Sequence, residues 1–125
     1  MELGSSIDAG SYMQIEMERR AFKARLEEIF PTVDVILCPA MPLYAPPREG
    51  SIEMDEAEQS LTDTLKFTAP WDYSGSPTLS LPWRPGSRKL PLGVQLICRD
   101  FEDPLLLQLG HSIEQHAVAG MHPPL

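Results

Sequence analysis

Proline placement constrains this chain more than any other feature of its sequence. Proline makes up 13 of the 125 residues, twice the usual share of about 5%, and it is concentrated between Pro31 and Pro91. Because proline fixes a backbone angle and has no donor N–H, it interrupts helices and interior strands. The middle of the chain is therefore expected to be rich in turns and extended segments.

Two segments outside this region carry the apolar spacing of an amphipathic helix. The first, Ser11 to Phe30, is predicted to begin with a capping box of Ser11 and Gln14 and to stop at Pro31. The second is predicted to begin at Asp103 as N-cap, with Pro104 in the first helical position. Each is expected to bury one apolar face. The two faces consist of Tyr12, Ile15, Phe22, Leu26 and Ile29, and of Leu106, Leu109, Ile113 and Ala117.

Three short runs are typical of strands. Residues 33–38 are apolar and β-branched, which predicts a strand buried on both faces. Residues 78–82 and 92–98 alternate in polarity, and the turn signal Pro85-Gly86 lies between them, so an antiparallel pair is expected. A helix leading directly into a strand indicates an α/β or α+β layer.

The stretch from residue 39 to 67 is predicted to be a proline-rich and acidic loop excursion. It contains six acids between Glu49 and Asp63, but it lacks the alternating ligands and central glycine of a calcium loop. A solvated surface loop is favoured, with a short helix near Leu61 to Phe67. We expect one domain over residues 11–117, a lead at 1–10 and a frayed tail at 118–125.

Charge and composition exclude several classes of function. The net charge of −8 argues against nucleic-acid and membrane-surface partners, and no apolar run is long enough to span a bilayer. The first thirty residues do not have the pattern of a secretory signal, so a cytoplasmic location is expected. Cys38 and Cys98 are too few for a disulfide scaffold or a zinc site and are expected to be buried thiols.

No local motif demands catalysis. The segment Ser74 to Pro77 is interpreted as a turn rather than a nucleophile site, because no base or oxyanion donor accompanies its serines. His111 and His116 are five residues apart and face different directions, so no metal site is predicted. Trp71 and Trp83 could line a pocket, although core packing is the favoured interpretation.

Four blocks in fixed order resemble the C-terminal part of amidase-signature enzymes, over about residues 9–116. They read AGSYMQ…RR…F, DVILCPAMPLYAPP, FTAPWDYSGSPTLSLP and LPLGVQLICRDFEDPLLLQLGHSIEQ. The family pattern T-x-P-x-[ND]-x-x-G-x-P-x-x-S-x-P is matched by Thr68, Pro70, Asp72, Gly75, Pro77, Ser80 and Pro82, and a G-L-P-x-G-x-Q-like pattern by Leu90, Pro91, Gly93 and Gln95.

The resemblance implies an α/β fold: a partial mixed sheet with flanking helices, belonging to the family's α/β/α sandwich. It implies hydrolysis of carboxamide C–N bonds, with a small-molecule amide as substrate and no cofactor or metal. By position, the residues that it implies for the substrate pocket are Thr68, Trp71 and Asp72, while Pro70, Gly75 and Pro77 are implied to shape the structural turn.

The family's catalytic lysine and two serines come from an earlier region with a G-G-S-S-G-G-like core, and residues 1–125 contain no such region. The chain is therefore expected to be inactive alone, with no catalytic residue of its own. Family members that act on a glutamine side chain place a carboxylate where this chain has Leu65, so the resemblance disfavours recognition of an amino-acid amide by that carboxylate. Trp71 is bulkier than the small residue that many members have there, which indicates a narrowed or aromatic-lined pocket.

Isolated, such a segment is expected to expose strand edges and an apolar helix face, and to be marginally stable or to self-associate. The alternative to an enzyme fragment is an interaction module without catalysis, which docks on a separate N-terminal amidase half or on itself.

Overall fold

The computed structural model describes residues 6–42, 62–85 and 91–118. Most of the predicted acidic excursion, the Gly86 turn position and the tail beyond residue 118 lie outside these residues, as does the side chain of Ala117.

The described elements follow one another in a helix–strand–helix–strand–strand–helix order. They are α1 (Ala9–Ile29), β1 (Ile36–Pro39), α2 (Ala69–Ser74), β2 (Thr78–Pro85), β3 (Pro91–Ile97) and α3 (Asp103–Ile113), which continues as a π-helical segment (Glu114–Val118). Residues 62–65 are also helical, where the sequence predicts a short helix.

Helix α1 begins earlier than predicted, because its N-cap is Asp8 rather than Ser11. The Asp8 carboxylate accepts from the N–H groups of Gly10 and Ser11 at 2.8 and 3.0 Å, and the Ser11 hydroxyl donates to it at 2.7 Å. Ser11 is thus the helical partner of the cap rather than the cap itself. The predicted stop before Pro31 is confirmed, since the helix ends at Ile29.

The three strands form one sheet in the order β1-β3-β2, and both pairings are antiparallel. The predicted pairing of residues 78–82 with 92–98 is confirmed, with Leu79 opposite Leu96. Strand β1 lies at an edge and is shorter than expected. Its predicted burial on both faces is wrong, because Leu37 is 63% exposed.

Helices cover both faces of this sheet. On one face, Leu26 and Phe30 of the α1 region pack with Ile97 of β3. On the other, Leu106 of α3 packs with Leu96 and with Cys98 at the end of β3. Because successive strand residues point to opposite faces, β3 contributes to both cores. The predicted α/β class, a partial sheet with flanking helices, is confirmed.

The apolar face of α1 is only partly covered. Leu26 is buried and Phe22 is half-buried, whereas Ile15 and Ile29 are exposed and Tyr12 is 57% exposed. The expectation that this helix buries its apolar face is therefore confirmed for Leu26, and it is wrong for Tyr12, Ile15 and Ile29.

Helix α3 keeps the predicted stripe but not the predicted cap. Its N-cap is Glu102, whose side chain makes no capping hydrogen bond, and Asp103 is the first helical residue. Leu106 is buried, and Leu109 and Ile113 pack against the same core.

Candidate functional site

The motif segment that follows residue 67 folds as a one-and-a-half-turn helix closed by a glycine. Pro70 lies in the first turn of α2, where a missing N–H is tolerated. Gly75 ends the helix with φ +72° and donates its N–H to the Trp71 carbonyl at 2.8 Å. A side chain at this left-handed position would be strained, so glycine sets the direction in which the chain enters β2. The Thr68 hydroxyl donates to the Leu65 carbonyl at 3.3 Å.

The serines beside this glycine serve the turn. Ser74 is buried, and its hydroxyl donates to the Trp71 carbonyl at 3.0 Å. The same oxygen accepts the Ser76 N–H at 3.2 Å and lies 2.9 Å from the Ser76 hydroxyl. A nucleophilic serine needs a base in hydrogen-bond reach, and these contacts are with a carbonyl, an amide and a hydroxyl. The interpretation of this segment as a turn is confirmed.

Helix α2 is fastened to α1 by two hydrogen bonds and a ring contact. Arg19 donates from Nε to the Tyr73 carbonyl at 2.6 Å, and the Tyr73 hydroxyl donates to the Ile15 carbonyl at 3.2 Å. The rings of Phe22 and Tyr73 are tilted by 50°, with centroids 5.7 Å apart. Such tilted pairs are favourable, so the motif helix has a defined position on α1.

A groove of about 690 Å³ lies beside this junction. Its walls are mostly apolar, and they carry one cation and one carboxylate, Lys66 and Asp72. The apolar part consists of Phe22, Leu65, Ala69, Pro70 and Tyr73. Pockets that combine apolar walls with a few polar groups are typical of small-molecule sites.

The site candidates predicted from the sequence lie partly in the groove and partly in the core. Asp72 and Pro70 line the groove, and Thr68 is half-buried next to it. Trp71 instead packs on the Leu26 core, which confirms core packing as its favoured interpretation. A role of Thr68, Trp71 or Asp72 in binding substrate stays a prediction.

Five groove residues were not among the site candidates from the sequence: Phe22, Leu65, Lys66, Ala69 and Tyr73. They come from α1, from the segment before α2 and from α2 itself, so no local pattern unites them. A signal for Tyr73 was present, because Ala69 and Tyr73 are four residues apart and share one helix face. This spacing was not recognised because no helix was predicted at residues 69–74.

Two buried polar atoms near the α1 face of the sheet have no hydrogen-bond partner among the described residues, Trp71 Nε1 and Gln95 Oε1. Gln95 is 2% exposed and donates from Nε2 to the Ala40 carbonyl at 3.2 Å. A Cβ added at Gly93 would lie 2.8 Å from the Ala40 Cβ. Gln95 and Gly93 thus fix the chain where it leaves β1.

The remaining candidates from the sequence lie elsewhere. His111 contacts Gln115 at 2.9 Å, and His116 Nδ1 lies 2.7 Å from the Ser112 carbonyl. Within residues 6–42, 62–85 and 91–118, no three His, Cys, Asp or Glu side chains come together as a metal site. In the same residues, no helix is long and apolar enough to cross a membrane.

Both cysteines are free, and burial separates them. Cys98 is fully buried and Cys38 is half-buried. Burial raises the pKa of the Cys98 thiol, and the carboxylates of Asp103, Glu102 and Asp100 raise it further.

Comparison with known proteins identifies the family of this motif and fold. The sequence model described as Amidase matches residues 1–107. The chain belongs to the amidase family. The resemblance carried by the four blocks is thereby confirmed.

Relatives and a solved structure agree with this assignment. AmiD of Mycobacterium bovis, named as an amidase, is 31% identical over 128 aligned positions, which cover 100% of this chain and 26% of AmiD. A glutamyl-tRNA(Gln) amidotransferase subunit of Synechococcus sp. is 37% identical over 106, covering 85% of this chain and 21% of that protein. The crystal structure of the corresponding subunit of Thermotoga maritima superposes with a TM-score of 0.73 and 30% identity, covering 91% of this chain and 25% of that one.

The matches cover most of this chain but only a small part of each relative. The chain spans about a quarter of the length of the curated relatives that it matches. Its α1, sheet and α3 layers therefore correspond to a part of an amidase rather than to a whole one.

Proposed function

We propose that this chain acts as the C-terminal quarter of an amidase that hydrolyses carboxamide C–N bonds. In this proposal it supplies part of the sheet and one wall of the substrate pocket. The observation that carries it is the match of the chain, along 100% of its length, to 26% of a relative named as an amidase. The catalytic lysine and serines are then supplied by residues outside these 125, and the chain alone is inactive.

The groove beside α2 supports the pocket-wall part of this proposal. Its apolar walls fit the hydrocarbon part of an amide substrate. A carboxamide offers an acceptor oxygen and donor N–H groups, which match the Lys66 ammonium and the Asp72 carboxylate on the groove wall. In this role Asp72 orients the amide, and the Gly75 turn keeps α2 in place.

A second candidate function is a non-catalytic interaction module that docks on a separate N-terminal half or associates with itself. Exposed apolar side chains on α1 and at the edge of the sheet favour docking of either kind, since large apolar surfaces mark contact sites. They are Tyr12, Met13, Ile15, Met17 and Leu37. We also propose a cytoplasmic location, which the free thiols of Cys38 and Cys98 support.

The deciding experiment isolates the native polypeptide with an antibody raised against this chain. Its intact mass is measured, and it is assayed with a panel of small carboxamides beside the purified 125-residue chain. We expect a polypeptide several times heavier than 14.0 kDa that releases ammonia or amine, and no turnover by the short chain.

Other outcomes assign other functions. A 14.0 kDa polypeptide that co-purifies with a second, serine-rich chain favours the docking module. Hydrolysis by the 125 residues alone contradicts inactivity of the isolated chain. A heavy native polypeptide without amide hydrolysis contradicts the proposed activity.

The wall residue is tested in the active species. Asp72→Asn should lower kcat/KM about tenfold, since a lost charged hydrogen bond is worth a factor of this order. Asp34→Asn is the matched control, because Asp34 is an exposed carboxylate that does not line the groove. Equal kcat/KM values for both variants exclude Asp72 from the pocket wall.

A further inference from the structure

The turn between β3 and α3 holds an aromatic residue in a backbone position that suits glycine. The turn spans Arg99 to Glu102, and the Glu102 N–H donates to the Arg99 carbonyl at 3.2 Å. Its third residue, Phe101, has φ +65°, and it is the one non-glycine residue with positive φ in the described part of the chain. Turns that need a positive φ at the third position ordinarily carry glycine or asparagine there. A Cβ crowds this conformation, so Phe101 is strained.

Polar contacts tie the charged side chains of this turn to their own chain. Arg99 donates from Nη2 to the Phe30 carbonyl at 3.0 Å, and its Nη1 lies 3.7 Å from Glu102 Oε1. Asp100 pairs with Lys23 of α1. Exposed pairs of this kind are individually weak, but together they fix the turn against the end of α1. Phe101 is the one residue of this turn whose side chain makes none of these contacts.

The ring contributes almost no packing to this chain, because Phe101 is 92% exposed. The isolated chain therefore carries backbone strain at Phe101 without a compensating contact. Strained residues persist mainly at sites of binding or catalysis. A large aromatic side chain on a fixed backbone is a typical interface anchor, since little conformational entropy is lost when it is buried.

We propose that Phe101 is an anchor with which this chain docks on the remaining part of the amidase. The inference rests on the proposed function, and it adds the residue through which the two parts recognise each other. The occupant follows from the comparisons, because the same fold lies inside the much longer Thermotoga maritima protein, of which it covers 25%. In such a chain this quarter packs on the rest, and a projecting ring on a fixed turn is available for that contact.

The proposal has a signature that a structural role lacks. Removal of the ring should stabilise the chain by itself, because strain is released and no packing is lost. The same removal should weaken docking, because the anchor is gone. A residue that only supports its own turn would change both measurements in the destabilising direction.

The test uses Phe101→Gly and Phe101→Asn, two residues that accept positive φ. Leu107→Ala is the matched control, since Leu107 is an equally apolar side chain, 64% exposed on the ordinary helical backbone of α3. The first measurement is the thermal midpoint of the 125-residue chain. The second is the affinity of this chain, by titration calorimetry, for the part of Mycobacterium bovis AmiD that it does not match, produced as a separate polypeptide.

We expect both Phe101 variants to raise the midpoint of the chain, by about 4 °C for Phe101→Gly. We expect them to bind the AmiD part about 30-fold more weakly, the loss typical of an interface hot spot. Leu107→Ala should change affinity by no more than about twofold. In a covalent fusion of the AmiD part and this chain, the Phe101 variants should lower the midpoint instead of raising it.

The contrary outcomes separate this inference from the proposed function. If the wild-type chain binds the AmiD part and the Phe101 variants bind equally well, the anchor is refuted while the amidase role stands. If the variants lower the midpoint of the isolated chain, the ring has a structural role and the inference is overturned. If the wild-type chain does not bind the separate AmiD part, and its fusion to that part does not hydrolyse amides, the proposed function fails and the inference fails with it.

Discussion

The two helices that cover the sheet differ in how much of their apolar face is buried within this chain. Helix α3 buries its apolar stripe on β2 and β3 through Leu106. Helix α1 buries Leu26 on the opposite face but leaves Tyr12 and Ile15 exposed. Both have the spacing of an amphipathic helix, so the spacing alone does not tell which face is completed within the chain. The apolar face of α3 is packed against the sheet, whereas the N-terminal half of the apolar face of α1 is left exposed.

The comparison predicts its largest effect within α3. Leu106→Ala should lower the free energy of unfolding by about 3 kcal/mol, the range for a buried leucine that leaves a cavity, because Leu106 is 3% exposed. Ile15→Ala, on the apolar face of α1, should change it by less than about 0.5 kcal/mol. Urea unfolding of the 125-residue chain measures both values. Equal losses would show that α1 is as well packed as α3.

A second prediction compares the two faces of the sheet through their thiols. Cys98, on the α3 face, should react with iodoacetamide slower than Cys38, on the α1 face, by on the order of tenfold at pH 8. Burial shields the Cys98 sulfur and raises its pKa, so less thiolate is present at that pH. Peptide mapping of the alkylated native chain gives the two rates. The difference between the two alkylation rates should disappear when the chain is unfolded in urea. If Cys98 reacted faster than Cys38 in the native chain, the α3 core would be shown to open readily.

The third prediction concerns the motif turn on the α1 side. Gly75→Ala should destabilise the chain by about 1 kcal/mol, because its φ of +72° disfavours any Cβ. The nearest atom to an added Cβ is Arg19 Nη2 at 3.6 Å, so crowding adds nothing. Gly75→Asn should lose less, since asparagine tolerates this conformation. If alanine and asparagine are equally harmful by urea unfolding, a cause other than the backbone angle is required.

The sequence predicted those parts of the fold whose partners lie inside the chain. The pairing of β2 with β3 and the stripe of α3 followed from local alternation and spacing, and both are confirmed. The exposure of Leu37 did not follow, because burial of an edge strand depends on neighbours that a local pattern does not name. The polarity pattern shows which face of an element is apolar, but it does not show whether other residues of the chain bury that face.

The candidate site was predicted in part for a different reason. The family motif led to Asp72 and Pro70, which line the groove, and to Trp71, which packs in the core. Phe22 and Lys66 were missed because they reach the groove from separate segments. A helix as short as α2 has too few turns for its period to be visible. Placement around such a helix needs the structure.

The smallest predicted effect refines the comparison at the exposed end of α1, where the Asp8 cap is the local source of order. Hydrogen bonds from the Ser11 side chain and from backbone N–H groups hold the pKa of Asp8 below its ordinary value. A lowered folded pKa stabilises the helix above the ordinary carboxyl pKa, and this contribution is lost as the pH falls through the folded pKa. Asp8→Asn keeps a capping oxygen without a titratable group. The unfolding free energy of the wild-type chain, relative to this variant, should therefore decline slightly between pH 5 and pH 2 and remain flat above pH 5. If the difference were constant over the whole range, the charge of Asp8 would contribute nothing to the cap, and the neutral hydrogen bonds alone would account for capping.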